Sequence, residues 1–436
     1  MKVGIFYTDV NLESRLRYVL DFIEHHPLNL KKTSFSVNQE EEINISYEKN
    51  NNANRDFFIP KQEKLFSSKE RFSFSNNLYK QSDKLLHSVE SVIKESDQFF
   101  NAGYFGFDIL ESIFFHLSRV EELDLKRDQL NDRGQIKESD ILVVKNKIEK
   151  IPHVDIIVES FLETLTEQPI QKTTGVTVTH DIDFIEKYKS PLSFLNITAK
   201  SILKTQKIKP IVDQYLKTRR DKTNDPYNTF LELLRKEKSV SKKIYFLVGG
   251  KHKFDNTYSL SHPTFLEAIK LSIKRGYDIG IHPSYDSWKS EELVIAEKKK
   301  LETAIGKEIS ISRQHYLHFD IEETPSVLLK AGIREDSSIG FTERIGFRCG
   351  TGFPYFLYDF KKEQKSALLE LPLVYMDSAA INESKETTTP LEEMTKGFLL
   401  TNTHNTHLCF NFHNSRMDES LAEGRLIKKI YTDLFS

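Results

Sequence analysis

The chain has 436 residues, 38% hydrophobic and 29% charged, and its 62 Lys and Arg nearly balance 64 Asp and Glu. That length allows two or three domains around a sizeable core, and the charge balance gives no basic footprint for nucleic acid. Only two cysteines occur, Cys349 and Cys409, which excludes a disulfide framework and a Cys/His finger.

Residues 3–8 read as a strand. The apolar run there is too short for a signal-peptide core and is broken by Asp9, and no window is long enough to span a membrane. A cytoplasmic location is the expectation. Residues 12–23 form an amphipathic helix pattern with Asn11 as its cap, and apolar–polar alternation at 35–38 and 43–47 predicts half-buried strands. The Asn-rich stretch 50–54 is a turn. An aromatic block at 99–107 reads as core or interdomain packing, and Asp108 caps the helix after it. Arg119, Glu121 and Glu122 read as surface or helix-end ion pairs. A turn at 131–135 and a helix at 154–165 complete a smaller α+β domain over 1–170, with the boundary at 167–169.

From Thr174 onward, strands alternate with helices, which predicts a parallel α/β sheet or barrel over 171–436. The strand-like segments are 175–179, 243–248, 277–281, 309–313, 332–336, 369–374 and 408–412; the helical ones are 228–238, 263–275, 290–305 and 323–331. A basic helical insertion at about 186–227 interrupts the alternation. It reads as a solvated helical face beside the site mouth, with peripheral contact to an anionic membrane as the alternative. In such folds reactive groups collect at the carboxyl ends of strands. Those ends carry His180, Asp181 and Asp183, then His282 and Asp286, then Arg313 and His315, then Asp336, and last His413. Two carboxylates at i, i+2 on one strand tip repel unless a cation or a shared proton relieves them. The pattern points to one site built from several strand ends.

The order and spacing of these segments resemble the polysaccharide deacetylase family, the NodB-homology or carbohydrate esterase family 4 fold, in a bacterial branch with an extra N-terminal domain. Thr179-His180-Asp181-Ile182-Asp183 is similar to that family's T-F-D-D, with one residue inserted between the acids. Lys243-Ile244-Tyr245-Phe246-Leu247-Val248-Gly249 is similar to its second strand. Asp278-Ile279-Gly280-Ile281-His282 matches the strand before H-[S/T]-x-x-H, but Asp286 stands where the second His belongs. Arg313-Gln314-His315-Tyr316 has His for the Pro of R-x-P-Y. Arg334 to Phe341 is similar to the "YDSSLGF" strand, and Asn411-Phe412-His413-Asn414 to the last motif. The resemblance covers about residues 174–415 and implies a distorted (β/α) barrel of NodB-like type.

It also implies the chemistry. A divalent metal, Zn with Co, Ni or Mn as alternatives, activates water and polarises a carbonyl. Asp183 and His282 are ligands, and the third is either His315, at its strand end, or Asp286, at the i+4 position of the family's missing His. Asp181 is the base, held ionised by Arg313, and His413 protonates the leaving amine. The Tyr316 backbone N–H would serve the oxyanion, while Arg348, Asp336, Asp377 and Trp288 are candidates for substrate or supporting contacts. The bland alternatives are a salt bridge for Arg348, packing for Trp288 and a cap or turn for Asp377. The implied activity is removal of an N- or O-acetyl group from a sugar in a glycan or its precursor. Two alternatives stay open: a glycan-binding relative without turnover, and a metal-dependent amide hydrolase acting on a non-sugar substrate.

Overall fold

The computed structural model describes the chain except residues 9, 52–54, 62–64, 67–106, 124, 171–173, 204–207, 240, 257 and 403–404, together with the side chains of 200–203. All but Phe107 of the aromatic block at 99–107, and part of the Asn-rich turn, therefore lie outside the described residues.

The first part of the chain builds a small parallel sheet. Its strands are β1 (Lys2–Phe6), β2 (Ser34–Val37), β3 (Ile43–Glu48) and β4 (Phe57–Pro60), in the order β2-β1-β3-β4. β2 and β3 form where the alternation placed strands, but their burial does not alternate, since Ile45, Ser46 and Tyr47 are buried in succession; β4 is an apolar run closed by Pro60 and carries no such signal. The helix Glu13–His25 has Leu12, not Asn11, at its N-cap, and no side chain caps it. Asp108 does cap the helix Ile109–Ser118, accepting from the Glu111 N–H at 2.9 Å.

The second sheet has nine strands: β5 (Thr174–Ile182), β6 (Ser241–Phe246), β7 (Asp278–Ile281), β8 (Ile311–Ser312), β9 (Glu335–Asp336), β10 (Tyr355–Asp359), β11 (Gln364–Glu370), β12 (Tyr375–Met376) and β13 (Thr406–His413). Their order is β10-β11-β9-β8-β7-β6-β5-β13-β12. The sheet curls into a half-barrel, with β10 and β12 at its two edges. Every pairing is parallel except β10 with β11, so eight strands present their carboxyl ends along one rim. The predicted strand at 369–374 sits earlier, as β11, because it pairs with the β10 hairpin arm. Its last residue, Glu370, reaches that rim beside Asp336.

The two sheets share their packing. Helix Glu13–His25 lies on the β10–β11 hairpin: Tyr18 Oη donates to the Phe356 carbonyl at 2.7 Å, and Arg15 ion-pairs with Glu363 at 2.7 Å. One core cluster runs from Val3 through Phe114 and Phe161 to Ile244, Ile281 and Leu368. Arg119, Glu121 and Glu122 are not a surface pair. Arg119 is fully buried, contacts Glu121 at 2.7 Å and Glu122 at 2.8 Å, and donates to the Arg348 carbonyl. Arg348 in turn ion-pairs with Glu122 at 2.8 Å, so this cluster ties the first part of the chain to the loop before β10. Cys349 and Cys409 are both buried and free.

Candidate metal centre

β5 alternates as a strand must, so Thr179 and Asp181 share one face and His180 takes the other. His180 points into a buried network with Glu237, which also accepts from the hydroxyls of Tyr277 at 2.7 Å and Tyr431 at 2.5 Å. That network anchors the strand from behind. On the working face, Asp181 is fixed from two sides. Arg313 Nη1 donates to its Oδ1 at 3.0 Å, and Asn411 Nδ2 donates to its Oδ2 at 2.7 Å. Arg313 is itself locked by the Ser337 carbonyl, Ser337 Oγ and Thr179 Oγ1 at 2.7–2.8 Å. Burial would raise the Asp181 carboxyl, but Arg313, His282 and His413 hold it down at about 2.

Beyond it, the ligand atoms of Asp183, His282 and His315 all lie within 4.8 Å of one another, and all three residues are buried. His282 Nε2 is 3.4 Å from Asp183 Oδ1. The outer ring nitrogens are both occupied: His282 Nδ1 bonds the Arg313 carbonyl at 2.5 Å, and His315 Nδ1 bonds Asp255 Oδ1 at 3.0 Å. Those acceptors place the proton on Nδ1 of each ring and leave a lone pair on Nε2. This is the tautomer a metal-ligating histidine needs, held by the outer partners such sites use. Burial lowers the His282 pKa against the raising effect of Asp181 and Asp183. Asp183 Oδ1 is buried and has no hydrogen-bond partner. An unpaired carboxylate oxygen facing two imidazole lone pairs is costly unless a cation sits among them. The donor set, one carboxylate and two imidazoles, fits a divalent metal with an open position.

Asp286 is exposed at the start of the 3-10 turn Ser287–Lys289 and is not part of this group. His413 ends β13, in register with Asp181. Its Nε2 is 3.8 Å from Asp181 Oδ2, while Asp377 receives both its backbone N–H at 2.7 Å and its Nδ1 at 2.6 Å. Burial opposes protonation, but Asp377 lifts the ring to about 9, so His413 is cationic at neutral pH. Asp377 is thus the buried acid that orients His413.

The other candidates lie farther out. Asp336 is buried under the rim, accepting from Ser312 Oγ at 2.5 Å and the Ser338 N–H at 2.9 Å, and burial raises it to about 6. Arg348 belongs to the ion cluster with Glu122. Trp288 packs on His318 with ring centroids 4.4 Å apart. Tyr316 and Leu317 both take positive φ, 60° and 50°, an uncommon and strained geometry for such side chains. Gln135, from the turn at 131–135, spans them, its Nε2 donating to the Tyr316 carbonyl at 3.2 Å and the Leu317 carbonyl at 2.9 Å. Arg133 Nε holds the Gln135 amide oxygen at 3.0 Å.

Sequence reasoning missed Asp255, Gln135 and the roles of Asn411 and Thr179. Asp255 sits in a loop after β6, 60 residues from its partner His315, with no spacing rule to connect them. Asn411 carried a signal: it lies two residues before His413 on β13 and so shares its face.

A family model described as a family of unknown function, DUF7033, matches residues 5–169. No curated protein matches the chain. Among solved structures, one described as "putative polysaccharide deacetylase from Mycobacterium smegmatis" aligns at 14% identity over 61% of this chain and 85% of that one, with a TM-score of 0.32. Likeness at that level carries no argument about activity, which rests on the geometry above.

Proposed function

We propose that this protein is a metal-dependent hydrolase that removes an acetyl group from an acetylated sugar. One observation carries the reading: three buried ligand atoms, from Asp183, His282 and His315, converge beside Asp181, which is paired with Arg313, and within reach of His413, which is paired with Asp377. A divalent metal bound by those three residues would polarise the acyl carbonyl and acidify a water. Asp181, kept ionised by Arg313, accepts the water's proton. His413, held by Asp377, faces the same space and donates a proton to the leaving nitrogen or oxygen. Arg313 carries no substrate; it orients the base. Tyr316, 38% exposed and adjacent in sequence to His315, offers an aromatic ring for a sugar to pack against.

The test is acetate release from N-acetylglucosamine oligomers and from O-acetylated sugars, with added Zn or Co and with chelator. The reading expects metal-dependent release that Asp181→Asn abolishes while metal stays bound. Metal binding with no release from any acetylated sugar or amide would favour a binding protein instead. Turnover of linear amides alone would move the substrate outside carbohydrates.

A further inference from the structure

Between 187 and 220 the chain carries nine Lys and Arg and a single acid, Asp213, although the whole chain is nearly neutral. Two helices occupy this stretch, Pro191–Leu203 and Ile208–Arg220. Phe194 stacks on Tyr215 with ring centroids 3.9 Å apart, and Tyr188 meets Tyr215 at 5.4 Å, so the pair is a hairpin with an aromatic seam. Its other side is unusual. Leu192 is 66% exposed, Leu195 59%, Leu216 48% and Ile208 40%. On the first helix Leu192, Leu195 and Ala199 recur at i, i+3 and i+7, one uncovered stripe without a charge. On the second, Ile208 and Leu216 share a face with the exposed Lys209, Arg219 and Arg220. Single exposed leucines are ordinary; three leucines and an isoleucine on two neighbouring short helices, two of them beside exposed cations, are not.

We propose that this hairpin is a docking surface for an anionic lipid bilayer. Its exposed Leu and Ile side chains enter the interface between headgroups and acyl chains, and Lys209, Lys217, Arg219 and Arg220 neutralise lipid phosphates. Lys209, Lys217, Arg219 and Arg220 are all exposed on the second helix, against the one acid Asp213, and cations spread along a helix without fixed acceptors suit a surface of diffuse negative charge better than the matched acceptors of a protein partner. Among the described residues no helix is long and apolar enough to cross a membrane, so the contact is peripheral. It is also next to the metal centre. Asn256 donates to the Asp183 carbonyl at 2.9 Å and accepts from Lys189, at the root of the hairpin, so a bilayer held there lies beside the site's mouth. This proposal does not depend on which reaction the site performs.

The test is flotation of the purified full chain with vesicles of phosphatidylglycerol and phosphatidylethanolamine, and with vesicles of phosphatidylcholine alone. Binding is expected only to the anionic vesicles, weakening as salt rises. Leu192→Ser with Leu195→Ser should weaken it at least about tenfold with unfolding temperature unchanged. Lys209→Glu with Arg219→Glu should do the same through charge. No binding to anionic vesicles, equal binding to neutral ones, or wild-type binding by both variants would overturn the proposal. So would self-association that the leucine variant abolishes without any vesicle binding, which would assign the face to a second copy.

Discussion

Two buried clusters of charge, built from similar residues, behave in opposite ways. In one, Arg119 and Arg348 face Glu121 and Glu122, and the guanidiniums and carboxylates close on each other. In the other, Arg313 closes on Asp181, but next to it the Asp183 oxygen is unmatched and two imidazole lone pairs face inward. In the first cluster Arg119 Nη2 and Glu121 Oε1 also have no hydrogen-bond partner, but they stand 2.7 Å apart as an ion pair, so each charge is met by the other, and the cluster joins two parts of the chain. The second is completed only by something the chain does not supply. Burial alone therefore does not mark a site; an open valence inside a buried polar cluster does.

The predictions press on that contrast. The largest effect belongs to the open cluster: Asp181→Asn should reduce acetate release by roughly 10²–10⁴-fold with metal content unchanged. If the loss comes with loss of metal, Asp181 is a ligand and its role as base is wrong. In the closed cluster, Arg119→Met should cost about 3–5 kcal/mol of stability, read by urea unfolding, and leave metal affinity untouched. A variant that weakens metal binding instead would merge the two clusters into one functional unit.

A third prediction concerns pH. His153 is buried and its pKa is depressed to about 4, chiefly by burial; burial also lowers His116, which packs on it with ring centroids 4.3 Å apart. The folded pKa lies below the unfolded one, so the unfolded chain binds the extra protons. Stability should be full above about pH 6.5 and fall as pH drops toward 4, with His153 contributing up to about 3 kcal/mol. His153→Gln should flatten that slope; an unchanged slope would show the pair does not govern it. The smallest effect joins the two regions. Gln135→Ala removes two hydrogen bonds from the strained Tyr316–Leu317 turn and should cost about 1 kcal/mol. Hydrogen exchange at 315–318 should quicken, while exchange across β5 stays as it was. Equal exchange in both proteins would make the contact incidental.

Much of this was legible in one dimension. Parallel strands announce themselves as short apolar runs, and reactive residues at their ends follow from the rule that sites gather there. Asp181, Asp183, His282, Arg313, His315 and His413 were singled out that way, and the structure brings them together. The half-barrel's edges were not: that β10 joins β11 and β12 joins β13 is a tertiary outcome with no local pattern. Nor was Asp255, since a loop carboxylate acquires meaning only when the chain brings His315 to it. Arg119, Glu121 and Glu122 are the helix-end ion pairs that the sequence offered, but they are buried and not at the surface. Charged triplets at helix ends are usually solvated, and only the packing of the 340–350 loop buries this one.

The central claim is that Asp183, His282 and His315 hold one cation and that Asp286 does not. Cobalt titration of chelator-treated protein, followed through the visible absorption of four-coordinate Co(II), measures this directly. The account predicts saturation at one ion per chain, lost in His315→Ala and kept in Asp286→Ala. Absent saturation, or a spectrum that survives His315→Ala but vanishes with Asp286→Ala, would contradict it.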